Sequence, residues 1–202
     1  MIKYRVFLVI SPTAVTSPNF KLKGIAGSTG RLDVIARSII AALKTKNGIR
    51  RDTEFWGLLE GPPNPPILIK VIGSEVGYIP CSEIEVIKNL RIIMKGECIK
   101  GYILEKKGFK EIVKELMSKV NGLYYLRENG RNINEEIFRH ERVGFILGSH
   151  VDLPPNYEEY LISLGVEKVR LSSISYLTSQ CIVIVHRILD RIHYLHRTLT
   201  SP

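Results

Sequence analysis

Apolar residues along this chain form two kinds of pattern, and the two kinds alternate. Short continuous apolar runs are typical of strands buried in a sheet, and they predict strands at 3–10, 53–59, 67–72, 97–104, 123–126, 143–147 and 167–171. Apolar residues spaced three or four apart predict helices at 31–43, 82–94, 109–120, 157–164 and from 176 onward. This alternation predicts an α/β fold with a mostly parallel sheet flanked by helices. No linker rich in Pro, Gly or Ser divides the chain, so residues 1–202 are predicted to form a single domain.

Two of the predicted helices carry distinctive local signals. Ser82, with Glu85 three residues later, predicts a capping box at the start of the helix 82–94. The run CIVIV at 181–185 is rich in β-branched residues, which are typical of strands. Helical spacing continues beyond this run as far as Leu195, which favours a helix. Because that helix is apolar nearly all round at its start, either a single core buries it or it lies in a dimer interface.

Three predicted strands in the last third of the chain end in loops that meet at one edge of the sheet. They lead into REN after Leu126, SH after Gly148 and SSISY after Leu171. In a parallel sheet, ligands bind outside the carboxyl ends of the strands. No GxGxxG turn follows Gly148, so a dinucleotide-binding turn is not predicted. The loops offer small hydroxyls, backbone amides and apolar walls, which favour an uncharged, adenine-like group. The alternative is a set of purely structural loops.

Composition and charge narrow the class of protein. The chain has 202 residues, of which 45% are hydrophobic and 24% charged, an ordinary globular range that argues against disorder. Lys and Arg number 29 against 20 acidic residues, giving a formal net charge of +9. This excess indicates a polyanionic partner, with nucleic acid ahead of a membrane surface. A basic enzyme with no such partner is the alternative.

Cysteine and histidine positions bound the chemistry further. Cys81, Cys98 and Cys181 are widely separated and form no CxxC pair, so neither a disulfide framework nor a zinc site is expected, and a reducing cytoplasm is the simplest setting. His193 and His196 share a face of the last predicted helix, but no third ligand is evident, so no metal is expected. The N-terminal segment lacks a signal-peptide cleavage site, and no apolar stretch is long enough to span a bilayer.

A series of segments together resembles a known enzyme family. They are TAVTSP (13–18), GSTGRLDV (27–34), LEGPPNPP (59–66), YYLRENG (124–130), FILGSH (145–150) and LSSISYLTSQCIVIVH (171–186). They are similar to the archaeal tRNA pseudouridine-54 N1-methyltransferases, which are SPOUT-class enzymes that use S-adenosylmethionine. The segments run from the first loop to the last helix, whereas residues 75–120 carry no matching motif.

The resemblance implies a fold, a partner and a set of site residues. SPOUT enzymes carry a deep C-terminal trefoil knot, which ordinary topology rules disfavour, and they act as homodimers, here through the C-terminal helix region. The family's cofactor contacts carry over to Leu126, Gly148, Leu171, Ser172, Ser173, Ile174, Ser175, Tyr176 and Cys181. Gly148 would let the backbone approach S-adenosylmethionine. Cys181 is interpreted as a pocket wall, because apolar surroundings raise a thiol pKa and disfavour a nucleophilic role.

The implied reaction transfers a methyl group from a sulfonium to N1 of pseudouridine in the T-arm of tRNA. Such a reaction needs in-line positioning and a route for the ring N–H proton. Asp33 is the candidate general base, and Arg31 beside it would contact phosphate or the base edge. The alternatives are that Asp33 only compensates a helix dipole and that solvent takes the proton.

Further basic residues are candidate RNA contacts. Arg50 and Arg51, in GIRRD, would bind the tRNA backbone, since phosphate contacts position an RNA without reading its sequence. A solvated charge pair at a helix end is the alternative. Arg127, beside the end of a predicted strand, is another candidate substrate contact.

Two other functions remain open from the sequence. One is a SPOUT enzyme that methylates N1 of pseudouridine in ribosomal RNA, although such relatives usually carry different N-terminal motifs. The other is a knotted RNA-binding ribosome-assembly factor without catalysis. The small-residue loop LSSISY and Gly148 argue against the second, because bulky replacements there would close the pocket.

Overall fold

The computed structural model describes residues 2–133 and 140–200, with side chains as far as Arg191. Its strands are β1 (Tyr4–Ser11), β2 (Lys44–Thr45), β3 (Gly48–Ile49), β4 (Thr53–Leu59), β5 (Ile67–Ile72), β6 (Tyr102–Glu105), β7 (Gly122–Asn132), β8 (Arg142–Gly148) and β9 (Glu167–Arg170). Its helices are α1 (Ile25–Ser28), α2 (Leu32–Leu43), α3 (Glu83–Met94), α4 (Phe109–Lys119), α5 (Pro155–Ser163) and α6 (Thr178–Thr200).

A seven-stranded sheet forms the centre of the protein, in the order β6-β5-β4-β1-β8-β7-β9. The parallel pairs join five neighbouring strands, β4, β1, β8, β7 and β9. Among the described strands of this sheet, β5 alone runs in the opposite direction to the others, and it pairs antiparallel with β4 and β6. The predicted mostly parallel sheet flanked by helices is confirmed. The chain forms β4 on one side of β1 and later β8 on the other. Such a reversal of strand order opens a crevice at the carboxyl ends of the strands, where α/β proteins bind ligands.

The two faces of the sheet are both buried. On β1, Phe7 and Val9 pack in the layer that contains α2, α3 and α6, whereas Val6 and Leu8 pack in the layer that contains α4 and α5. Successive residues of a strand point to opposite faces. Because helices cover both faces, these strands are continuous apolar runs rather than alternating ones, which made them recognisable in the sequence.

A cluster of polar side chains fixes α6 to the sheet at the amino-terminal end of β1. Arg5 on β1 forms an ion pair with Asp190 of α6 at 2.9 Å, and its Nη1 atom lies 2.9 Å from Nδ1 of His186. Nε2 of His186 lies 2.9 Å from the carbonyl oxygen of Ala42 on α2. Burial, followed by the positive charges of Arg50 and Arg5, lowers the pKa of His186 to about 3. The ring is therefore neutral, accepting a hydrogen bond from Arg5 and donating one to Ala42.

Three local predictions are wrong, although most element boundaries agree to within a few residues. The strand predicted at 123–126 continues through a bulge to Asn132, because Arg131 and Asn132 pair again with β9. The strand predicted at 97–104 begins only at Tyr102, because Gly101 adopts a φ of 81° that interrupts an extended chain. Ser82 is the N-cap residue of α3 but makes no side-chain capping hydrogen bond, so the predicted capping box does not form. The run 181–185 lies within α6, as predicted. No helix in the described part of the chain has both the length and the apolar character needed to cross a bilayer.

Candidate functional site

A cavity of about 610 Å³ opens beside a bulge in β7 and at the carboxyl ends of β8 and β9. Its walls are formed by the bulge of β7, by the loops that follow β8 and β9, and by the start of α6. Of the residues predicted to contact a cofactor, the following line the cavity: Leu126, Gly148, Leu171, Ser172, Ile174, Ser175, Tyr176 and Cys181. Ser173 is not among its lining residues. The fold thus brings residues from separate segments of the chain to one place.

The loop after β8 turns tightly beside the cavity. A Cβ atom on Gly148 would lie 2.4 Å from the carbonyl oxygen of Val151, so a side chain at this position would collide with the backbone of its own turn. The hydroxyl of Thr178, at the start of α6, donates to the carbonyl oxygens of Gly148 at 2.9 Å and Ser149 at 2.5 Å. The glycine is therefore needed for the turn itself, and the approach of a cofactor to its backbone stays a prediction.

β7 is interrupted by a wide bulge. Leu126 and Arg131 both stand opposite Val169 of β9, so the residues between them project out of the ladder at the cavity. Glu128, in this bulge, accepts a hydrogen bond from the hydroxyl of Ser175. The bond joins the bulge of β7 to the loop after β9 across the cavity that both of them line.

Arg127, predicted as a substrate contact, lies in the wall of the same cavity. Its guanidinium forms an ion pair with Asp152, and its Nε atom lies 3.8 Å from the carboxylate of Glu158. Both acidic residues belong to the segment that follows β8. Arg127 therefore links two of the loops that line the cavity, and an RNA phosphate would have to compete with these carboxylates for it.

Cys181 occupies the cavity wall contributed by α6. Burial raises the pKa of its thiol to about 11, so the side chain is a neutral thiol near pH 7. Its sulfur lies 3.7 Å from the carbonyl oxygen of Tyr176. A protonated, half-buried thiol is a weak nucleophile, which suits a wall rather than a methyl acceptor.

Four of the segments that carried the family resemblance meet at Thr13. A Cβ atom would lie 1.8 Å from the Thr13 carbonyl oxygen if added to Gly30 and 2.2 Å if added to Gly61, so both glycines allow close packing against this residue. The Thr13 hydroxyl donates to the carbonyl oxygen of Gly30 at 2.7 Å. The hydroxyl oxygen of Thr13 also lies 3.5 Å from Nε2 of His150, which lines the cavity. Thr13 thus connects the first loop to the cavity.

Asp33, predicted as a general base, lies at the start of α2 with a largely buried carboxylate. Arg31 lies 3.0 Å from one of its oxygens and Arg37 lies 3.3 Å from the other. Two guanidinium groups pair with this carboxylate, which suits it to hold Arg31 in place. Arg31 itself has a φ of 73°, an uncommon conformation for a residue with a side chain.

Arg50 and Arg51 lie at the amino-terminal ends of the parallel strands, opposite to the cavity. Both precede β4, which has 7 residues and runs parallel to β1, so they lie roughly 20 Å from the carboxyl ends of the strands. Arg50 forms a bidentate ion pair with Asp190, with distances of 2.6 and 3.1 Å. Arg51 donates to the carbonyl oxygens of Gly73 and Val76. A role in RNA binding stays a prediction for both.

Among the described residues, no group of three or more His, Cys, Asp or Glu side chains is placed so that it could hold a metal ion. The side chains of His193 and His196 lie outside the described part of the chain.

Inference from the sequence did not identify His150, Glu128 or Thr178 as site residues. His150 and Glu128 each follow a predicted strand within three residues, and this position was the available signal.

Comparison with known proteins identifies related sequences over nearly the whole chain. Residues 4–194 match the family described as "Putative SAM-dependent RNA methyltransferase". A tRNA (pseudouridine(54)-N(1))-methyltransferase from Methanococcus vannielii is 34% identical over 195 residues, covering 92% of this chain and 98% of the relative. An enzyme of the same name from Methanocella arvoryzae is 34% identical over 196 residues, covering 93% and 99% respectively.

One solved structure shares the fold. The crystal structure of Archaeoglobus fulgidus Nep1 bound to S-adenosylhomocysteine has a TM-score of 0.65 to this chain, with 17% sequence identity. The match covers 96% of this chain and 100% of the Nep1 chain. The likeness extends over both chains and supports a common architecture.

Proposed function

Because the chain belongs to the family of S-adenosylmethionine-dependent RNA methyltransferases, we propose that it methylates N1 of pseudouridine at position 54, in the T-arm of tRNA. The observation that carries this proposal is the match to relatives named for that reaction across 92% of the chain and 98% of the relative. The cavity beside the bulge of β7 and the carboxyl ends of β8 and β9 supports it, because residues predicted to contact the methyl donor line that cavity.

The cavity fits S-adenosylmethionine in size and chemistry. Its volume of about 610 Å³ lies within the range of roughly 300–1,000 Å³ usual for small-molecule sites. Leu126, Leu171 and Ile174 offer apolar walls for an adenine ring, and the Glu128 carboxylate can accept hydrogen bonds from hydroxyl or ammonium groups. When bound, S-adenosylmethionine supplies a methyl group on a positively charged sulfur. The chain's own task is to hold that group in line with the target nitrogen and to exclude water.

We place the target RNA beside the first loop. Thr13 joins this loop to the cavity wall, and Arg31 lies just beyond Gly30, to which Thr13 is hydrogen-bonded. Arg31 and Arg127 are the predicted RNA contacts nearest to this junction. Asp33 holds the guanidinium of Arg31 and remains the candidate base from the sequence. Arg50 and Arg51 would reach only a part of the tRNA that extends to the opposite edge of the sheet.

The proposal includes a homodimer through α2 and α6. A second cavity, of about 450 Å³, lies between these helices and is lined by residues including Ile40, Val183 and Ile184. Val183 is 54% exposed, and with Ile40, Ala41 and Ile184 it forms an apolar part of this lining. A second copy of the chain would cover this surface. Light scattering should give twice the chain mass for the wild type and a smaller value for Val183→Glu.

A C-terminal trefoil knot and a single domain over residues 1–202 belong to the same proposal. The full-length likeness to Nep1 supports both, and so do the hydrogen bonds that hold the start of α6 against the loop after β8. A backbone traced by crystallography would test the topology directly. We place the protein in the cytoplasm, which agrees with its free cysteines.

The test of the reaction uses two T-arm RNAs that differ only in pseudouridine or uridine at the target. Labelled S-adenosylmethionine is supplied, and nucleoside mass spectrometry locates the methyl group. We expect methyl on N1 of pseudouridine and none on uridine. Methylation of a ribosomal RNA hairpin instead of the T-arm would favour the ribosomal enzyme. Binding of RNA with no methyl transfer to either class of RNA would favour a non-catalytic assembly factor.

A further inference from the structure

The strand order separates the titratable side chains of the site into two groups. β8 lies next to β1, whereas β7 and β9 lie farther out in the sheet. His150, which follows β8, therefore faces the loop that follows β1 and is within 3.5 Å of Thr13 in that loop. Glu128, in the bulge of β7, bonds instead to Ser175 in the loop after β9. His150 thus lies between the cavity and the first loop, and Glu128 lies on the far side.

The hydrogen bonds around His150 favour one arrangement of its ring protons. The Thr13 hydroxyl uses its hydrogen for the carbonyl oxygen of Gly30, at 2.7 Å, so its oxygen is left as an acceptor toward Nε2 of His150. A proton on Nε2 satisfies that contact, and Nδ1 then carries the free lone pair. Nδ1 lies 3.2 Å from the hydroxyl of Ser149, which also lines the cavity. A neutral imidazole so arranged can accept a proton at Nδ1.

Two other titratable side chains, those of Asp33 and Cys181, are more buried than His150. Two arginines hold the carboxylate of Asp33, and its side chain is 11% exposed. The thiol of Cys181 has a pKa raised to about 11 by burial, so it already holds its proton near neutral pH. His150, in contrast, is exposed on the cavity side and therefore open to a base inserted from the RNA.

We propose that His150 accepts the N1 proton of the target pseudouridine, an inference that rests on the proposed function. The N–H bond at N1 breaks and the proton moves to Nδ1 of His150, directly or through the Ser149 hydroxyl. The N1 electron pair forms the new bond to the methyl carbon. The carbon–sulfur bond breaks with its electrons going to sulfur, which leaves neutral S-adenosylhomocysteine. His150 then returns the proton to solvent, and Asp33 serves to position Arg31.

The experiment measures single-turnover methylation of the pseudouridine T-arm by the full chain at saturating S-adenosylmethionine. The variants are His150→Ala, His150→Gln, Asp33→Ala and, as a matched control, His140→Ala. His140 precedes β8 at the opposite edge of the sheet. Each variant is assayed with and without added imidazole, and calorimetry measures its affinity for S-adenosylmethionine. Imidazole can replace a missing proton acceptor but cannot replace a missing structural contact.

We expect His150→Ala to slow methylation at least about 100-fold, the usual range for loss of a general base, and imidazole to restore part of the rate. His150→Gln should be slow without rescue, because glutamine fills the space that imidazole needs. Both should bind S-adenosylmethionine within about threefold of the wild type, and His140→Ala should react at the wild-type rate.

Four results would overturn the inference. The first is a wild-type rate in His150→Ala. The second is a lost rate in His150→Ala that imidazole does not restore although the cofactor still binds. The third is loss of cofactor binding in both His150 variants, which would assign this residue to the cofactor wall. The fourth is rescue of Asp33→Ala by imidazole, which would assign the proton to Asp33. A wild-type protein that leaves the pseudouridine RNA unmethylated would instead refute the proposed function.

Discussion

Gly148 and Val151 approach so closely that a methyl group on Gly148 would lie 2.4 Å from the Val151 carbonyl oxygen. Gly148 has an ordinary φ, so the constraint is one of space rather than of backbone conformation. The obstacle is backbone, which cannot rotate away as a flexible side chain could. The turn from Ser149 to Val151, and with it the adjacent wall of the cavity, therefore depends on the absence of a side chain at this position.

Replacing Gly148 with alanine should displace the turn and lower the affinity for S-adenosylmethionine by about tenfold or more, equivalent to about 1.4 kcal/mol. Calorimetric titration measures the change. Gly77→Ala is the matched control, because an added Cβ there meets no atom within 4 Å and affinity should be unchanged. Unaltered binding by Gly148→Ala would mean that the turn can move without affecting the site.

The hydrogen bond between Ser175 and Glu128 should slow release of the bound cofactor. Ser175→Ala and Glu128→Ala each remove this bond between the two loops, and each should speed dissociation about three- to tenfold, as expected for one solvent-accessible hydrogen bond. Stopped-flow displacement measures the rate. Because both changes break one bond, the double variant should resemble either single variant. An effect of Glu128→Ala without any effect of Ser175→Ala would show that the carboxylate acts on the ligand itself.

The acid sensitivity of the fold should depend on His186. Its pKa is lowered to about 3 in the folded protein, whereas an unfolded histidine titrates near about 6.5. Between these values the unfolded chain binds the extra proton, so stability rises with pH and is lost as pH falls. The free energy of unfolding should therefore decrease by about 1.4 kcal/mol per pH unit from this residue between pH 6 and pH 4.

His186→Gln offers the control for that dependence, because glutamine can still accept from Arg5 and donate to Ala42 but does not titrate. Urea unfolding of both proteins at several pH values should show a flatter acid limb for the variant. The hydrogen bonds from Arg50 and Arg5 outweigh burial and keep the pKa of Asp190 lowered in both proteins. Equal slopes in the two proteins would mean that His186 is not the group that takes up the proton.

Cys181 should react with iodoacetamide far more slowly than an ordinary thiol. Its pKa of about 11, against about 8.5 for a free cysteine, lowers the thiolate fraction more than a hundredfold near pH 8. Peptide mass spectrometry over time should find Cys81 and Cys98, which are exposed, labelled first. Added S-adenosylhomocysteine should slow labelling of Cys181 alone. Labelling at equal rates would contradict the buried wall described above.

Elements defined by local patterns were predictable, and contacts between distant segments were not. β4 and β5 agree with the predicted strands 53–59 and 67–72, because both are continuous apolar runs with clear ends. The loop residues from 171 onward could be assigned to one site because parallel strands end at one edge. Arg50 was interpreted as a phosphate contact because its partner, Asp190, is 140 residues away in the sequence. The contact between His150 and Thr13 was missed for the same reason.

Tyr176 lines both cavities, the one at the strand ends and the one between α2 and α6. A ligand that fixes this ring from one side alters the surface presented on the other. Free-energy coupling of this kind is reciprocal: if a second copy covering α2 and α6 strengthens cofactor binding, the cofactor must strengthen self-association by the same factor. The measured cofactor affinity would then vary with protein concentration, and dilute samples would understate it.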